Sequence, residues 1–155
     1  MKTLVVYFSA EFGVTKKVAD RLAGSIDADI FEIEPKEIYT KEDLKYTNPF
    51  TRCNKEKLGR KDVPVRGFPE NFDQYERVLI GFPIWYGCAP NVVNTFCKEV
   101  DFTGKAVGAF ATSGGSKIGK SGEKLSKYLK GAEVKSAVLF RDASDEELRN
   151  WAESI

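Results

Sequence analysis

The 155-residue chain contains no histidine and only three cysteines, Cys53, Cys88 and Cys97. Without histidine, a serine–histidine–aspartate triad is excluded, and so are zinc sites of the usual cysteine–histidine spacings. Three scattered cysteines do not form a disulfide framework either. We therefore expect reduced structural thiols and no metal site.

The chain also lacks a strong net charge and a long apolar run. Its 24 basic and 23 acidic residues give a charge of +1, which offers no overall attraction to nucleic acid or to an anionic membrane. No apolar stretch approaches the roughly 18 residues of a membrane helix, and the apolar run Leu4 to Phe8 is too short for a signal peptide. We expect a cytoplasmic protein that binds neither nucleic acid nor membrane.

The length suffices for one hydrophobic core and hardly for two, so a single domain over residues 1–155 is expected. Strand-like and helix-like segments alternate about five times along it. The predicted strands cover residues 3–8, 29–33, 77–82, 106–111 and 134–140, and the predicted helices residues 14–26, 90–100, 116–129 and 144–155. This order calls for an α/β fold, a three-layer, doubly wound, five-stranded parallel sheet with helices on both faces.

Three finer patterns accompany this prediction. Ser144 and Glu147 form a capping box at the start of the last helix. The polar segment 35–72 carries nine basic and five acidic residues between positions 36 and 66, which predicts a long surface excursion. The apolar face of the first helix is expected from four residues at a spacing of four: Val14, Val18, Leu22 and Ile26.

Ligands of an open parallel sheet bind beyond the carboxyl ends of the strands, where the winding direction reverses. The loops after the first, third and fourth strands are therefore the candidate binding loops. The first reads Ser9-Ala10-Glu11-Phe12-Gly13-Val14-Thr15 and leads into a helix. Its hydroxyls, glycine and helix dipole can hold a phosphate, although serine and threonine at helix starts more often act as caps.

The loop after the third strand carries two adjacent large aromatic residues, Trp85 and Tyr86, between Gly81-Phe82-Pro83-Ile84 and Gly87-Cys88-Ala89-Pro90. Both cannot point into the core, so at least one is expected to be a platform for a flat heteroaromatic ring. Such stacking contributes about 0.5–1.5 kcal/mol beyond the buried area. In the alternative interpretation, Trp85 caps the sheet and Tyr86 covers the following helix.

The loop after the fourth strand matches the nucleotide-phosphate pattern G-x-x-x-x-G-K-[ST] between Gly114 and Ser121. In that class the loop usually follows the first strand, and only 34 residues remain after Ser121. A nucleotide phosphatase that uses Lys120 is therefore a remote alternative. The glycines instead allow backbone groups to approach the edge of a planar ring, where a Cβ would intrude.

Together, the three loops resemble those of the flavodoxin family, and most closely a short flavodoxin-like branch that includes candidate NAD(P)H-dependent flavin oxidoreductases. The likeness spans the whole chain. It rests on Tyr7-Phe8-Ser9-Ala10 with Gly13, Thr15, Lys16 and Val18, on Gly81-Phe82-Pro83-Ile84-Trp85-Tyr86 through Ala89-Pro90 to Asn94-Thr95-Phe96, and on Phe110-Ala111-Thr112-Ser113-Gly114-Gly115-Ser116. The resemblance implies the strand order 2-1-3-4-5 and a non-covalently bound FMN that carries the chemistry, with no catalytic side chain.

The resemblance also implies a role for each loop. The first loop would hold the FMN phosphate, the loop around Trp85 would lie along one side of the isoalloxazine, and the third loop would contact the flavin edge. The implied cofactor-binding residues are Ser9, Ala10, Gly13, Val14, Thr15, Pro83, Ile84, Trp85, Tyr86, Gly87, Thr112, Ser113, Gly114 and Gly115.

Two functions remain open under this resemblance. In one, NAD(P)H reduces the flavin and a quinone-like or other acceptor reoxidises it; in the other, the protein carries single electrons and docks to a redox partner protein. Many electron-carrying flavodoxins are strongly acidic, whereas this chain is near neutral with a basic excursion, which slightly favours the reductase. A monomer or homodimer is expected in either case.

Overall fold

The computed structural model of the protein describes residues 1–10, 13–37, 63–85, 87–113 and 115–155. In this part of the chain the strands are β1 (Thr3–Tyr7), β2 (Asp29–Glu32), β3 (Arg77–Pro83), β4 (Ala106–Thr112) and β5 (Val134–Leu139). The helices are α1 (Val14–Ile26), α2 (Asn91–Glu99), α3 (Ser121–Ser126) and α4 (Asp145–Glu153), and a 3-10 turn covers Phe72–Gln74.

The five strands form one parallel sheet with the order β2-β1-β3-β4-β5. Alternate residues of β1 face opposite sides, with Leu4 in one apolar cluster and Val5 in the other. The first cluster contains the buried residues of α2 and α3, and the second those of α1 and α4. The predicted α/β class, the three layers and the strand order 2-1-3-4-5 are therefore confirmed.

The burial of each strand explains its sequence. β1 and β3 lie inside the sheet with helices on both faces, so residues 3–7 and 78–82 are all buried and form continuous apolar runs. β2 forms an edge of the sheet, and most of its residues are exposed. The predicted capping box of α4 is also present, because the Ser144 Oγ accepts from the Glu147 N–H and the Glu147 carboxylate accepts from the Ser144 N–H.

The predicted helix over residues 116–129 is wrong in extent, since α3 covers only Ser121–Ser126. Gly119 has a left-handed φ of +51°, which a helix does not accommodate. The Ser121 hydroxyl then donates to the carbonyl of Ile118 at 2.6 Å and closes a turn before the helix begins. Of the apolar residues at helical spacing in this segment, Leu125 and Leu129 are buried and Ile118 is half-buried.

The predicted apolar face of α1 is correct except at its first residue. Leu22 is buried and Val18 and Ile26 pack against the same cluster, whereas Val14 is 57% exposed. Thr15, Ala19 and Ala23, which the prediction did not include, are buried as well. Val14 is the first residue of the helix, where the chain has only just left the carboxyl edge of the sheet.

Part of the predicted surface excursion lies in the core. Residues 38–62 fall outside the described residues, but Val63 and Val65 are 3% and 6% exposed and belong to the cluster beneath α2. An antiparallel bridge joins Val65 to Pro35, with the Arg66 N–H donating to the Glu34 carbonyl at 2.7 Å. Across the described segments, no helix has the length and apolarity needed to cross a membrane.

Candidate functional site

The carboxyl ends of β1, β3 and β4 lie side by side, because β3 pairs with both of the other strands. They carry the first loop (residues 9–15, of which the last two begin α1), the second loop (residues 84–90) and the third loop (residues 113–120). Among the predicted site residues, Ser9, Ala10, Gly13, Pro83, Ile84, Trp85 and Ser113 are half-buried, Thr15 and Thr112 are buried, and Val14, Gly87 and Gly115 are exposed. Tyr86 and Gly114, also predicted, lie outside the described residues.

The first loop leads directly into the N-terminus of α1. Gly13 occupies the N-cap position in the left-handed conformation (φ +69°), and its N–H donates to the Ala10 carbonyl at 3.0 Å. The Ser9 hydroxyl accepts from the Lys16 N–H at 3.1 Å, so Ser9 satisfies one first-turn amide of the helix. The amides of Val14 and Thr15 have no partner inside the helix, because the first-turn N–H groups of any α-helix lack one.

The second loop contains a closed four-residue turn. The Trp85 N–H donates to the Cys88 carbonyl at 2.9 Å, and the Cys88 N–H donates to the Trp85 carbonyl at 3.2 Å. Gly87 has a φ of +75° at the third position, where a type II turn favours glycine. The Trp85 ring meets Phe8 edge-on, with centroids 5.7 Å apart, and stays half-buried. Trp85 thus packs on the core while part of its surface remains accessible.

The third loop is folded by its own serine. The Ser113 hydroxyl accepts from the N–H groups of Gly115 at 3.2 Å and Ser116 at 2.7 Å. Arg141, which follows β5, donates to the Ser116 carbonyl at 3.2 Å. These contacts hold the loop against the end of β5 without using the side chains of Lys117 or Lys120, which are exposed.

Ser121 does not have the environment that a nucleotide-phosphate loop needs. Its side chain is fully buried, with the hydroxyl 2.6 Å from the Ile118 carbonyl and 3.3 Å from the Gly87 carbonyl. A hydroxyl held in this way cannot reach a magnesium-bound nucleotide, so the geometry gives the Lys120 interpretation no support. Ser121 instead braces the second loop, a role that no sequence pattern indicates because it depends on where α3 begins.

Thr112 connects all three loops. Its hydroxyl lies 2.7 Å from the hydroxyl of Thr15, at the start of α1, and the two side chains are 3% and 2% exposed. Its carbonyl accepts from the Ile84 N–H of the second loop at 3.0 Å, and its own position is the last of β4. The sequence places Thr15 and Thr112 in separate motifs and does not predict the contact between them.

Lys16, in the first turn of α1, places a positive charge near the start of the helix. The Lys16 ammonium is 3.4 Å from the Tyr7 phenol oxygen and 3.3 Å from the Asp20 carboxylate, and these hydrogen bonds raise the pKa of Lys16. Burial, followed by the charge of Glu32, raises the pKa of Tyr7, whose phenol donates to Glu32 at 3.3 Å. Lys16 therefore stays protonated, and the ion pair with Asp20 partly offsets its charge at the start of α1.

Comparisons with known proteins agree with this architecture. A model of the flavodoxin family matches residues 2–155. A candidate flavoprotein from Bacteroides eggerthii DSM 20697 is 35% identical, with a TM-score of 0.92 over 99% of this chain and 97% of that chain. A second one, from Bacteroides uniformis ATCC 8492, is also 35% identical, with a TM-score of 0.90 over 98% and 97%.

A more distant structure is a flavoprotein from Lactobacillus acidophilus NCFM in complex with FMN. It is 24% identical, with a TM-score of 0.74 over 97% of both chains, and shows the fold alone. No match was found among curated protein sequences. Because the family model covers nearly the whole chain and two solved structures share 35% identity with it, the chain belongs to the flavodoxin family.

Proposed function

We propose that the protein is a redox flavoprotein that binds FMN non-covalently at the three loops and transfers electrons or hydride from NAD(P)H to a quinone-like or other acceptor. The observation that carries the proposal is the junction of the three loops at Thr112, at the sheet edge where ligands of such folds bind. Family membership supports the flavin, and the FMN complex of the Lactobacillus acidophilus flavoprotein supports the mononucleotide.

The residues at the start of α1 suit the phosphate end of FMN. The helix presents first-turn amides and the positive end of its dipole, a common arrangement for binding a phosphate. The hydroxyls of Thr15 and Thr112 carry two protons and use one of them between each other. The described residues provide no acceptor for the second proton, and a phosphate oxygen would supply one.

The second loop suits the ring end of FMN. Pro83, Ile84 and Trp85 place half-buried apolar and aromatic surface at the rim of the site. A Cβ built on Gly87 approaches only the Lys124 ammonium, at 3.9 Å, and one built on Gly115 meets nothing within 4 Å. Neither glycine is therefore enclosed by side chains, and we expect a planar ring to lie along these loops beside Trp85.

These features assign a role to each part of the chain. FMN, when bound, supplies the hydride and electron chemistry. The amides of α1 and the Thr15 hydroxyl would hold the phosphate, Trp85 would orient the ring, and Ile84 would help to exclude water from it. No histidine is required for any of these roles, which agrees with its absence from the chain.

Fluorescence titration with FMN tests the proposal, because only two tryptophans are present. Trp85 lies at the site, whereas Trp151 lies on α4, where its indole N–H donates to the Ser136 hydroxyl at 3.1 Å. We expect FMN to quench the tryptophan fluorescence of W151F, which retains Trp85, more strongly than that of W85F, which retains Trp151. Absence of both quenching and calorimetric heat would contradict FMN binding.

A second experiment, on the FMN-loaded protein, distinguishes a reductase from an electron carrier. For the proposed reductase, we expect NADH or NADPH to be oxidised steadily when a quinone is present as acceptor. The near-neutral charge of the chain supports this direction, since docking to a basic partner would be served by an acidic surface. Inertness toward both nicotinamides, together with single-electron exchange with a redox protein, would identify a carrier instead.

A further inference from the structure

We infer that Thr112 is a positioning residue for phosphate recognition: its hydroxyl donates to Thr15 and thereby directs the Thr15 proton to the phosphate of the bound mononucleotide. This inference rests on the proposed FMN binding and adds to it a residue that acts through another. The two threonines are 97 positions apart, and their hydroxyl oxygens are 2.7 Å apart.

Both hydroxyls are held in place from the backbone. Thr15 is the second residue of α1, so its position follows the helix. Thr112 ends β4, where its carbonyl accepts from the Ile84 N–H at 3.0 Å. With exposures of 2% and 3%, the two side chains shield their shared hydrogen bond from bulk water. The pair therefore keeps its contact and can change only the direction of the shared hydrogen bond.

Which hydroxyl donates in this hydrogen bond decides whether Thr15 presents a lone pair or a proton to an anion at the start of α1. If Thr15 donates to Thr112, the Thr15 oxygen offers only lone pairs to a phosphate at the start of α1. If Thr112 donates, the Thr15 proton is free to point to the phosphate. A hydrogen bond to a charged group is stronger than a neutral one, so an anion selects the second arrangement. Thr112 then supports phosphate binding without touching the phosphate.

A structural role alone would give a different result. If Thr112 only braces the loops, its loss raises the Kd of FMN and the Kd of riboflavin, which lacks the phosphate, by the same factor. If Thr112 acts through Thr15, its loss reduces the ratio of the riboflavin Kd to the FMN Kd. This ratio measures the phosphate contribution and cancels the effects that both flavins share.

The test is a double-mutant cycle on the ratio of the two dissociation constants, with T15V, T112V and T15V/T112V. We expect T112V to lower the ratio by up to about tenfold, because the Thr15 hydroxyl loses the donor that fixes its orientation and polarises its proton toward a charged acceptor, and to have no further effect once Thr15 is valine. T112S should restore the ratio. T3V is the matched control, because Thr3 is a buried threonine at the opposite edge of the sheet, where its hydroxyl accepts from Arg77.

The outcomes separate the two proposals. Failure of the wild-type protein to bind either flavin would overturn the proposed function itself. If the wild type binds flavin, then equal Kd values for FMN and riboflavin, an unchanged ratio in T112V, or independent effects of T15V and T112V would each overturn the role of Thr112. If T112V does not fold, T112A gives the same readout, with folding checked by urea unfolding.

Discussion

Gly81 lies in β3, and its replacement by alanine tests the packing directly beneath the candidate site. A Cβ at this position would overlap the ring of Phe110, which is fully buried on β4. Phe110 cannot easily move, because it packs against Phe140 and Trp151 with ring centroids 6.2 and 6.1 Å away. The strain would also reach the first loop, since the Gly81 carbonyl accepts from the Phe8 N–H.

The expected cost follows from two opposing effects. Overpacking a well-filled core costs about 1–3 kcal/mol, and the overlap with Phe110 puts this site at the upper end. Replacing glycine by alanine in a compatible backbone stabilises the folded state by about 0.4–1 kcal/mol, because it reduces the conformational entropy of the unfolded chain. We therefore expect G81A to lower the free energy of unfolding by about 2 kcal/mol, which at 2–4 °C per kcal/mol corresponds to roughly 4–8 °C in Tm.

Gly24 provides a matched control with the opposite sign. It is exposed in α1, and a Cβ there meets nothing within 4 Å. The same glycine-to-alanine change in a helix interior should stabilise the protein by about 1 kcal/mol. A difference of sign between G81A and G24A would therefore report the local packing and not the substitution itself.

Urea unfolding at 25 °C measures the effect as a shift of the midpoint at unchanged m. F110L should partly rescue G81A, because the shorter side chain vacates the space that the new methyl group needs. The double variant should then lose less stability than the sum of the single variants. A G81A protein as stable as the wild type, or strictly additive single effects, would refute this account of the strand contact.

Three further predictions concern other parts of the fold. S144A should lose about 1 kcal/mol of unfolding free energy in a thermal melt, because it removes the α4 cap, whereas S144D should retain most of it. Burial and the hydrogen bond to Asp29 raise the pKa of Tyr75 from 10.0 to about 12, so the folded state holds a proton that the unfolded state has lost. The stability advantage of the wild type over Y75F should be full below pH 10 and shrink toward pH 12, and urea midpoints that keep a constant difference would contradict this. Burial also raises the pKa of the Cys97 thiol, so iodoacetamide at pH 8 should label it only after unfolding, as peptide mass spectrometry would show.

The strands were predictable because the sheet gives them simple sequence signals. Residues 78–80 form a continuous apolar run because β3 is covered on both faces, and residues 29–32 mix polar and apolar side chains because β2 is an exposed edge strand. The strand order could not be predicted in this way, because hydrophobic periodicity contains no information on which strands are neighbours. The order 2-1-3-4-5 came only from the resemblance of the loop motifs to the flavodoxin family.

The errors arose where a local backbone choice overrode periodicity. Ile118, Leu125 and Leu129 have helical spacing, yet the left-handed Gly119 separates the first of them from α3. A glycine inside a helical pattern does not reveal its φ, so the start of α3 at Ser121 could not be read from the sequence. For the same reason, the bracing of Gly87 by Ser121 was not predictable.

The candidate site shows most clearly what the sequence could and could not specify. Its location at one edge follows from a rule of parallel sheets, which needs only the order of strands and helices. The role of each hydroxyl does not follow from that rule, because a serine or threonine at a helix start can be either a cap or a ligand contact. Ser9 is the one that accepts from an amide of α1, whereas the Thr15 hydroxyl lies beside that of Thr112. That division depends on α1 lying over the end of β4, a contact between residues 97 positions apart that local pattern analysis does not detect.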